Sequence, residues 1–161
     1  MDVEIRKATE DDGPALLDLW HGFTEHLSQY DERYQHKDSA DDRWLRYFEN
    51  QLLDSKYGVV FVAEDDTDLV GVLEARITGD HPIFRLSDHG YINGHYVVEG
   101  YRDEGIGADL VDAAMEWLAD SERDVEFCRV DTIEGDEYAR DAYADMGFEP
   151  VEHVYERRVE E

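Results

Sequence analysis

The stretch that decides the fold is YVVEGYRDEGIGA, residues 96–108, together with the helical pattern that follows it. Val97 and Val98 end an apolar strand, and the glycines after them indicate a tight turn. Beyond the turn, apolar residues recur at helical spacing, at Ile106, Leu110, Ala114, Trp117 and Leu118. The sequence therefore predicts a strand, a glycine turn and a helix in direct succession.

The turn has the properties of an anion site. The first backbone N–H groups of a helix lack partners, and the aligned peptide dipoles add partial positive charge there. Gly105 and Gly107 would let phosphate oxygens approach the backbone, because no Cβ stands in the way. The spacing matches neither the P-loop nor the dinucleotide fingerprint. Taken alone, these residues leave open an ordinary tight turn before a packed helix.

The composition bounds the architecture. A chain of 161 residues is expected to form one domain over residues 1–161, with a core that needs neither disulfides nor a metal. The single cysteine, Cys128, lies among strand-like residues and is interpreted as a buried inert thiol. No apolar stretch approaches the roughly 18 residues of a membrane span. We therefore expect a soluble, cytoplasmic protein without a membrane partner.

The net charge of −27 is the strongest compositional feature. Such a surface repels phosphates, which argues against a nucleic-acid partner. Apolar periodicity is intact and aromatic residues are plentiful, so the charge does not indicate disorder. The pattern resembles proteins of salt-accumulating halophiles, because a Debye length of about 3 Å at molar salt would screen the self-repulsion.

Patterns along the chain predict the order of the elements. A first strand at residues 3–8 precedes a helix that is capped at Thr9 and Asp12 and buries Leu16, Leu19, Trp20, Phe23 and Leu27. A second helix begins at Ser39 and buries Leu45, Phe48 and Leu52. The later elements are a hairpin (residues 59–63 and 69–77), a loop (78–89), strands at 90–98 and 125–130 in a parallel, right-handed crossover, a helix (136–146) and a last strand (148–159).

Two motifs together resemble the GNAT superfamily of acetyl-CoA-dependent N-acyltransferases. The first is Arg102-x-x-Gly105-x-Gly107, similar to the family's Gln/Arg-x-x-Gly-x-Gly/Ala. The second, similar to Asn-x-x-Ala…Tyr…Gly-Phe, is Asp136-x-x-Ala139-x-x-Ala142-Tyr143-x-x-x-Gly147-Phe148. The resemblance covers nearly the whole chain. It implies an α/β (α+β) fold with a mixed, largely antiparallel central sheet flanked by helices, and a splayed strand pair that binds the cofactor.

The resemblance also implies acetyl-CoA as the acyl donor, without a metal. The backbone of Val97 and Val98 would pair with the pantetheine arm, whose amides can add to a strand. The pyrophosphate would bind amides of Arg102, Asp103, Glu104, Gly105, Ile106, Gly107 and Ala108, at the helix N-terminus. Asp136, which stands where the family usually has asparagine, and Tyr143 complete the expected cofactor-binding set.

Tyr143 is the general acid that the resemblance implies, donating a proton to the leaving thiolate of coenzyme A. A phenol with a pKa of about 10 stays protonated at neutral pH and can donate to the developing charge on sulfur. The alternative is core packing, because Ala139 and Tyr143 share a helical face.

Acyl transfer to an amine also requires a group that removes a proton from the ammonium. Strand alternation predicts one shared face for Tyr91, Asn93, His95 and Val97. His95 could then reach the acceptor, and its ordinary pKa of about 6.5 suits a base, although Gly94 could introduce a bulge. Glu74 is the second candidate. A non-catalytic histidine and a solvated sheet carboxylate are the respective alternatives.

The acceptor is expected to be a small-molecule or peptide amine that enters between residues 28–38 and the loop at 78–89. The expected lining residues are Tyr30, Tyr34, His36, Phe84 and Arg85, although loop aromatic residues can instead cap a core. Metal-ligand spacing is absent from six histidines, which are interpreted as incidental: His21, His26, His36, His81, His89 and His153.

Two further questions stay open at this level. A non-catalytic acyl-CoA-binding or regulatory module would keep the same cofactor site without turnover. The sequence also leaves a homodimer open.

The predicted cofactor turn departs from the family in its charge. Asp103 and Glu104 lie between Arg102 and Gly105, where relatives commonly have basic residues. Because coenzyme A is itself polyanionic, we expect acetyl-CoA binding to strengthen as salt rises to molar levels.

Overall fold

The computed structural model describes residues 2–79 and 82–160. Its strands are β1 (Val3–Lys7), β2 (Gly58–Asp65), β3 (Asp68–Thr78), β4 (His89–Val97) and β5 (Cys128–Val130). Its α-helices are α1 (Gly13–Ser28), α2 (Ala40–Tyr47), α3 (Ile106–Ala119) and α4 (Glu137–Asp145). In this described part of the chain, no helix combines the length and the apolar character that crossing a membrane requires. Two residues of the predicted loop, Asp80 and His81, lie outside the described residues.

The five strands form one sheet in the order β1-β2-β3-β4-β5. The first three pairings are antiparallel, and β5 runs parallel to β4. The predicted mixed, largely antiparallel sheet is therefore confirmed, as is the parallel connection through α3. The β4–β5 pairing ends at Ile92↔Val130, whereas β4 continues to Val97. Beyond Ile92, no strand of the described residues lies beside this edge of β4.

Helices cover both faces of the sheet, as the family resemblance implies. On one face, α3 packs Ile106, Leu110, Val111 and Ala114 against Val59, Phe61, Ala63, Leu73, Ala75 and Ile92. On the other face, α1 and the turn after α2 pack Leu16, Leu19, Trp20, Phe48 and Leu52 against Val60, Val62 and Val72. Each helix buries one apolar stripe, and the acidic residues of α3 stay exposed on its outer face.

A bulge in β4 overturns one prediction. Asn93 is the extra residue, between the pairs Glu74↔Gly94 and Ala75↔Ile92. An extra residue moves every later side chain of the strand to the opposite face. His95 and Val97 consequently face Gly107 of α3, whereas Asn93 faces the α1 side with Trp44. The prediction that Asn93, His95 and Val97 share a face is therefore wrong.

The predicted last strand is also wrong. Residues 148–159 form no strand, and four apolar side chains among them are 66%, 94%, 91% and 100% exposed: Val151, Val154, Tyr155 and Val159. A strand requires a hydrogen-bonded neighbour, which a pattern of alternating residues cannot supply by itself. The predicted strand at 125–130 is likewise reduced to Cys128–Val130, the length over which β4 pairs with it.

Candidate functional site

A cleft of about 700 Å³ opens where β4 and β5 diverge. Its walls come from α1, β4, the glycine turn and α4. The lining includes Phe23, His26, Tyr34, Tyr91, His95, Val97, Arg102, Asp103, Gly105, Gly107, Ala108, Asp136, Tyr138, Ala139 and Tyr143. Residues of both sequence motifs, the one at Arg102 and the one at Tyr143, therefore line one concave site.

The glycine turn presents free backbone amides at this cleft. Gly105 adopts φ +81° and immediately precedes α3, with no side chain capping the helix. The first intrahelical bond there runs from the Asp109 N–H to the Gly105 carbonyl, at 2.9 Å. The N–H groups of Ile106, Gly107 and Ala108 precede it and are left without helical partners. A Cβ at Gly105 would meet no atom within 4 Å, so the space in front of the turn is open.

The predicted pyrophosphate-binding residues divide into two groups. Those lining the cleft are Arg102, Asp103, Gly105, Gly107 and Ala108. Ile106 points into the core, and Glu104 is exposed outside the cleft lining. Anion binding by these residues stays a prediction.

The Arg102 side chain links the glycine turn to β4. Its Nε donates to the Val97 carbonyl at 3.0 Å, and its guanidinium lies 5.6 Å from the ring centroid of Tyr96. The Val98 N–H donates to the Val70 carbonyl of β3 at 2.9 Å. Of the two valines predicted to pair with pantetheine, only Val97 lines the cleft.

Tyr143 and His95 form a hydrogen-bonded pair beneath the turn. The Tyr143 hydroxyl lies 2.8 Å from His95 Nδ1, and His95 Nε2 lies 3.1 Å from the Gly107 carbonyl oxygen. A carbonyl oxygen can only accept, so Nε2 carries the ring proton and Nδ1 accepts the proton of the tyrosine. Burial lowers the pKa of His95 to about 4. Burial also raises the pKa of Tyr143, and the Asp136 carboxylate adds to that rise.

The end of α4 fixes the position of Tyr143. Gly147 adopts φ +97°, the Phe148 N–H donates to the Tyr143 carbonyl at 3.0 Å, and the Gly147 N–H donates to the Ala144 carbonyl at 3.0 Å. These bonds form a Schellman motif. The Phe148 ring packs edge-on against the Tyr143 ring, 5.5 Å between centroids. The Gly-Phe part of the second motif therefore serves to hold the tyrosine.

Asp136 has two partners within the protein. Its Oδ1 accepts from the Ala139 N–H at 3.1 Å and caps α4, and its Oδ2 lies 2.9 Å from His26 Nε2. Asp136 lines the cleft, as predicted for a cofactor contact, but both oxygens already serve to join α4 to α1. His26, interpreted from the sequence as incidental, therefore has a structural partner.

A second cavity, of about 260 Å³, adjoins the cleft. The two share Phe23, Thr24 and Asn93 in their linings. Glu74 is buried in this second cavity and accepts a hydrogen bond from Trp44 Nε1 at 3.2 Å. Burial raises the pKa of Glu74 despite that bond. Glu74 is therefore not the solvated sheet residue that was its alternative.

The predicted acceptor-lining residues are only partly brought together. Tyr34 lines the cleft and His36 the second cavity, whereas Tyr30, Phe84 and Arg85 line neither. Tyr30 packs on His26 instead, 5.5 Å between ring centroids.

Cys128 stands apart from this chemistry. Burial raises the pKa of its thiol to about 11, which agrees with the predicted inert cysteine.

Sequence reasoning missed Asn93 and Trp44. Asn93 faces the second cavity because of the bulge, and Trp44 reaches Glu74 across 30 residues of chain. In the sequence, Gly94 is the one sign of the bulge that turns Asn93 toward this cavity.

Comparison with known proteins gives one consistent family. The acetyltransferase (GNAT) family model matches residues 19–148. A protein of Archaeoglobus fulgidus described as an uncharacterized N-acetyltransferase is 33% identical over 123 residues, which cover 76% of this chain and 78% of that protein.

Experimental structures share the fold at lower identity. AAC(6')-Iy in complex with the bisubstrate analogue CoA-S-monomethyl-acetylneamine has a TM-score of 0.74 and 20% identity, covering 98% of each chain. A tetramutant of the BH1408 protein from Bacillus halodurans has a TM-score of 0.81 and 18% identity, covering 97% of this chain and 99% of the other.

Proposed function

The chain belongs to the acetyltransferase (GNAT) family and is an acyltransferase, and on that premise we propose that it moves an acetyl group from acetyl-CoA directly to a primary amine of a small molecule or peptide. We take residues 1–161 as one such domain. The observation that carries the proposal is the common cleft. It is lined by the glycine turn with its free amides, the unpaired edge of β4 and the Tyr143 side chain.

The donor would be held mainly by backbone groups. The unpartnered amides at the start of α3 suit a pyrophosphate, and the free edge of β4 at Val97 suits the amides of pantetheine. Asp103 and Glu104 oppose a polyanion, so the amides would supply most of the attraction. The Arg102 bond to Val97 would have to be shared or released when pantetheine pairs there.

Tyr143 would act as the general acid. As the amine nitrogen bonds to the acetyl carbon, the C–S bond breaks and the Tyr143 hydroxyl turns its one proton from His95 Nδ1 to the thiolate. The nitrogen releases its extra proton to solvent, and solvent returns a proton to the tyrosine. Its raised pKa keeps the hydroxyl protonated at neutral pH. His95 would be a positioning residue rather than the base, because Nδ1 already accepts from Tyr143 and Nε2 donates to Gly107.

Glu74 would receive the acceptor amine in the second cavity. Burial makes its carboxylate a better proton acceptor than an exposed one, which suits removal of a proton from an ammonium. Trp20, Phe23 and Trp44 supply aromatic walls around this carboxylate. We therefore favour a cationic amine as the substrate class. AAC(6')-Ih of Acinetobacter baumannii, named an aminoglycoside antibiotic 6'-N-acetyltransferase, shares this fold at 19% identity, so aminoglycosides belong in the substrate panel.

The test is CoA release over a panel of aminoglycosides, polyamines and peptide N-termini. Tyr143→Phe and Glu74→Gln should each lower turnover about 100-fold or more, while calorimetry shows coenzyme A binding unchanged in Tyr143→Phe. Tyr57→Phe is the matched control, because Tyr57 is 49% exposed and lines neither cavity. Binding without turnover on any amine would instead support the non-catalytic acyl-CoA-binding module.

We further propose a homodimer in which a second copy covers the segment at residues 148–159. This segment exposes Val154 and Tyr155, and β5, three residues long, forms the edge of the sheet beyond β4. An extended segment with apolar side chains can add to such an edge. Sedimentation analysis should show a dimer that Val154→Asp weakens. A monomer at all concentrations would contradict this.

A further inference from the structure

Three metal-ligand side chains converge beside the second cavity. His21 extends from α1, His36 from the segment before α2, and Asp41 from the first turn of α2. His21 Nε2 lies 3.1 Å from Asp41 Oδ2, and His36 Nε2 lies 2.7 Å from Asp41 Oδ1. The candidate ligand atoms all lie within 4.8 Å of one another.

The imidazole rings are arranged in parallel. The rings of His21 and His36 stack, with centroids 3.7 Å apart and planes 21° from parallel. This stacking brings both Nε2 atoms to the same carboxylate. The three residues come from two helices and the segment between them, so their spacing in the sequence gave no indication of a site. His21, interpreted from the sequence as incidental, has a carboxylate partner in Asp41.

Thr24 contacts the ring nitrogen of His36 that faces away from Asp41. The Thr24 hydroxyl lies 3.1 Å from the backbone carbonyl oxygens of both Trp20 and His21. A threonine in a helix commonly donates its single proton to such a carbonyl, which leaves its oxygen to accept from another group. His36 Nδ1 lies 3.1 Å from that oxygen. When Nδ1 carries the ring proton it donates to Thr24, and Nε2 then has a lone pair with which to bind a cation.

The 2.7 Å between His36 Nε2 and Asp41 Oδ1 is bridged either by a proton on Nε2 or by a metal cation. A proton would satisfy His36 alone, whereas a metal would satisfy both stacked imidazoles and the carboxylate together.

We propose that His21 Nε2, His36 Nε2 and a carboxylate oxygen of Asp41 bind one divalent transition-metal ion, for which Zn²⁺ is the best match. Two imidazoles and a carboxylate are a zinc donor set, with a water able to take the fourth position. The Thr24 contact to His36 Nδ1 supplies the outer hydrogen bond that orients a metal-binding imidazole.

The cation would tie α1 to the start of α2 across the segment at residues 29–39. His36 and Asp41 also line the second cavity, so metal binding would stiffen one wall of it. Metal binding itself does not rest on the proposed function.

The test is calorimetric titration of the full chain with ZnCl2. Molar KCl with excess Mg²⁺ suppresses diffuse binding to the acidic surface. We expect one equivalent of zinc to bind, with the affinity reduced at least about 10-fold in His36→Gln and in Asp41→Asn and about 10-fold in Thr24→Val. His153→Gln is the matched control, since His153 is exposed and belongs to no such cluster of the described residues.

Two results would overturn the proposal. One is the absence of saturable, one-equivalent uptake by the wild-type chain. The other is uptake that falls equally in His153→Gln. Circular dichroism checks folding, and His21→Gln is a second ligand variant that the fold should tolerate, because the His21 side chain is 49% exposed. With Co²⁺ as the probe, a visible absorption band in the wild type that is lost in His21→Gln would support the proposal. The absence of a band in the wild type would overturn it.

Discussion

The Tyr143 hydroxyl donates to His95 Nδ1 across 2.8 Å, and His95 in turn donates from Nε2 to the Gly107 carbonyl at 3.1 Å. This chain joins α4, β4 and the first turn of α3. The residue proposed as the general acid is therefore hydrogen-bonded, through one imidazole, to the same turn that is proposed to bind the pyrophosphate.

This relationship predicts how His95 variants behave. His95→Phe removes the acceptor of the Tyr143 proton and should lower kcat about 10-fold or more, because a catalytic proton donor must be positioned. KM for acetyl-CoA should change little, since the side chain holds the tyrosine rather than the donor. His95→Gln can restore a hydrogen bond and should recover part of the loss.

The steady-state rates of the wild type, His95→Phe and His95→Gln should be compared as a function of pH. A wild-type inflection near the ordinary histidine pKa that disappears in His95→Gln would show that His95 is the base instead.

The buried histidine also predicts a pH dependence of stability. The folded protein holds the pKa of His95 at about 4, below the ordinary value of about 6.5, so between these limits the unfolded chain binds more protons. The contribution of His95 to the free energy of unfolding is complete above the pKa that this residue has in the unfolded chain. It is lost as pH falls toward about 4. His95→Gln should make the loss between these limits smaller by about 1–3 kcal/mol, as measured by urea unfolding at constant high salt. An unchanged pH slope would contradict the assignment.

Two glycines offer a matched test of the turn. Gly100 and Gly105 both adopt positive φ, and a Cβ at either would meet no atom within 4 Å. Alanine at either position should destabilise the fold by about 1–2 kcal/mol, because of the left-handed backbone. Gly105 lines the cleft and Gly100 does not. Coenzyme A affinity should therefore fall in Gly105→Ala and hold in Gly100→Ala; equal affinities would argue against the turn as the anion site.

The acidic turn predicts an unusual response to salt. Acetyl-CoA affinity should rise from dilute to molar KCl, because salt screens repulsion by Asp103 and Glu104 as well as by the −27 surface. The double variant Asp103→Asn, Glu104→Gln should bind acetyl-CoA more tightly in dilute buffer, and its affinity should depend less on salt. Asp112→Asn with Glu116→Gln, on the exposed face of α3, is the control for net charge. Monotonic weakening with KCl would contradict the prediction.

The sequence by itself determined the local elements of this protein. The glycine turn before α3, the cap at Gly147, the apolar stripes of α1 and α3 and the β2–β3 hairpin follow from periodicity and from residues with special backbone preferences. Such features depend on neighbours a few residues away, so a single sequence contains their cause. The two motifs at Arg102 and Tyr143 led to the family in the same way.

Only the tertiary structure decided which side chains meet. The bulge at Asn93 turned His95 from the acceptor side to the α3 side, where it meets Tyr143 from 48 residues away. The strand predicted at residues 148–159 is absent because a pattern of alternating residues cannot supply a pairing partner. The burial of Glu74 and the convergence of His21 and His36 on Asp41 likewise arise from packing between elements. These contacts depend on register and on helix placement, which the order of residues along the chain does not display.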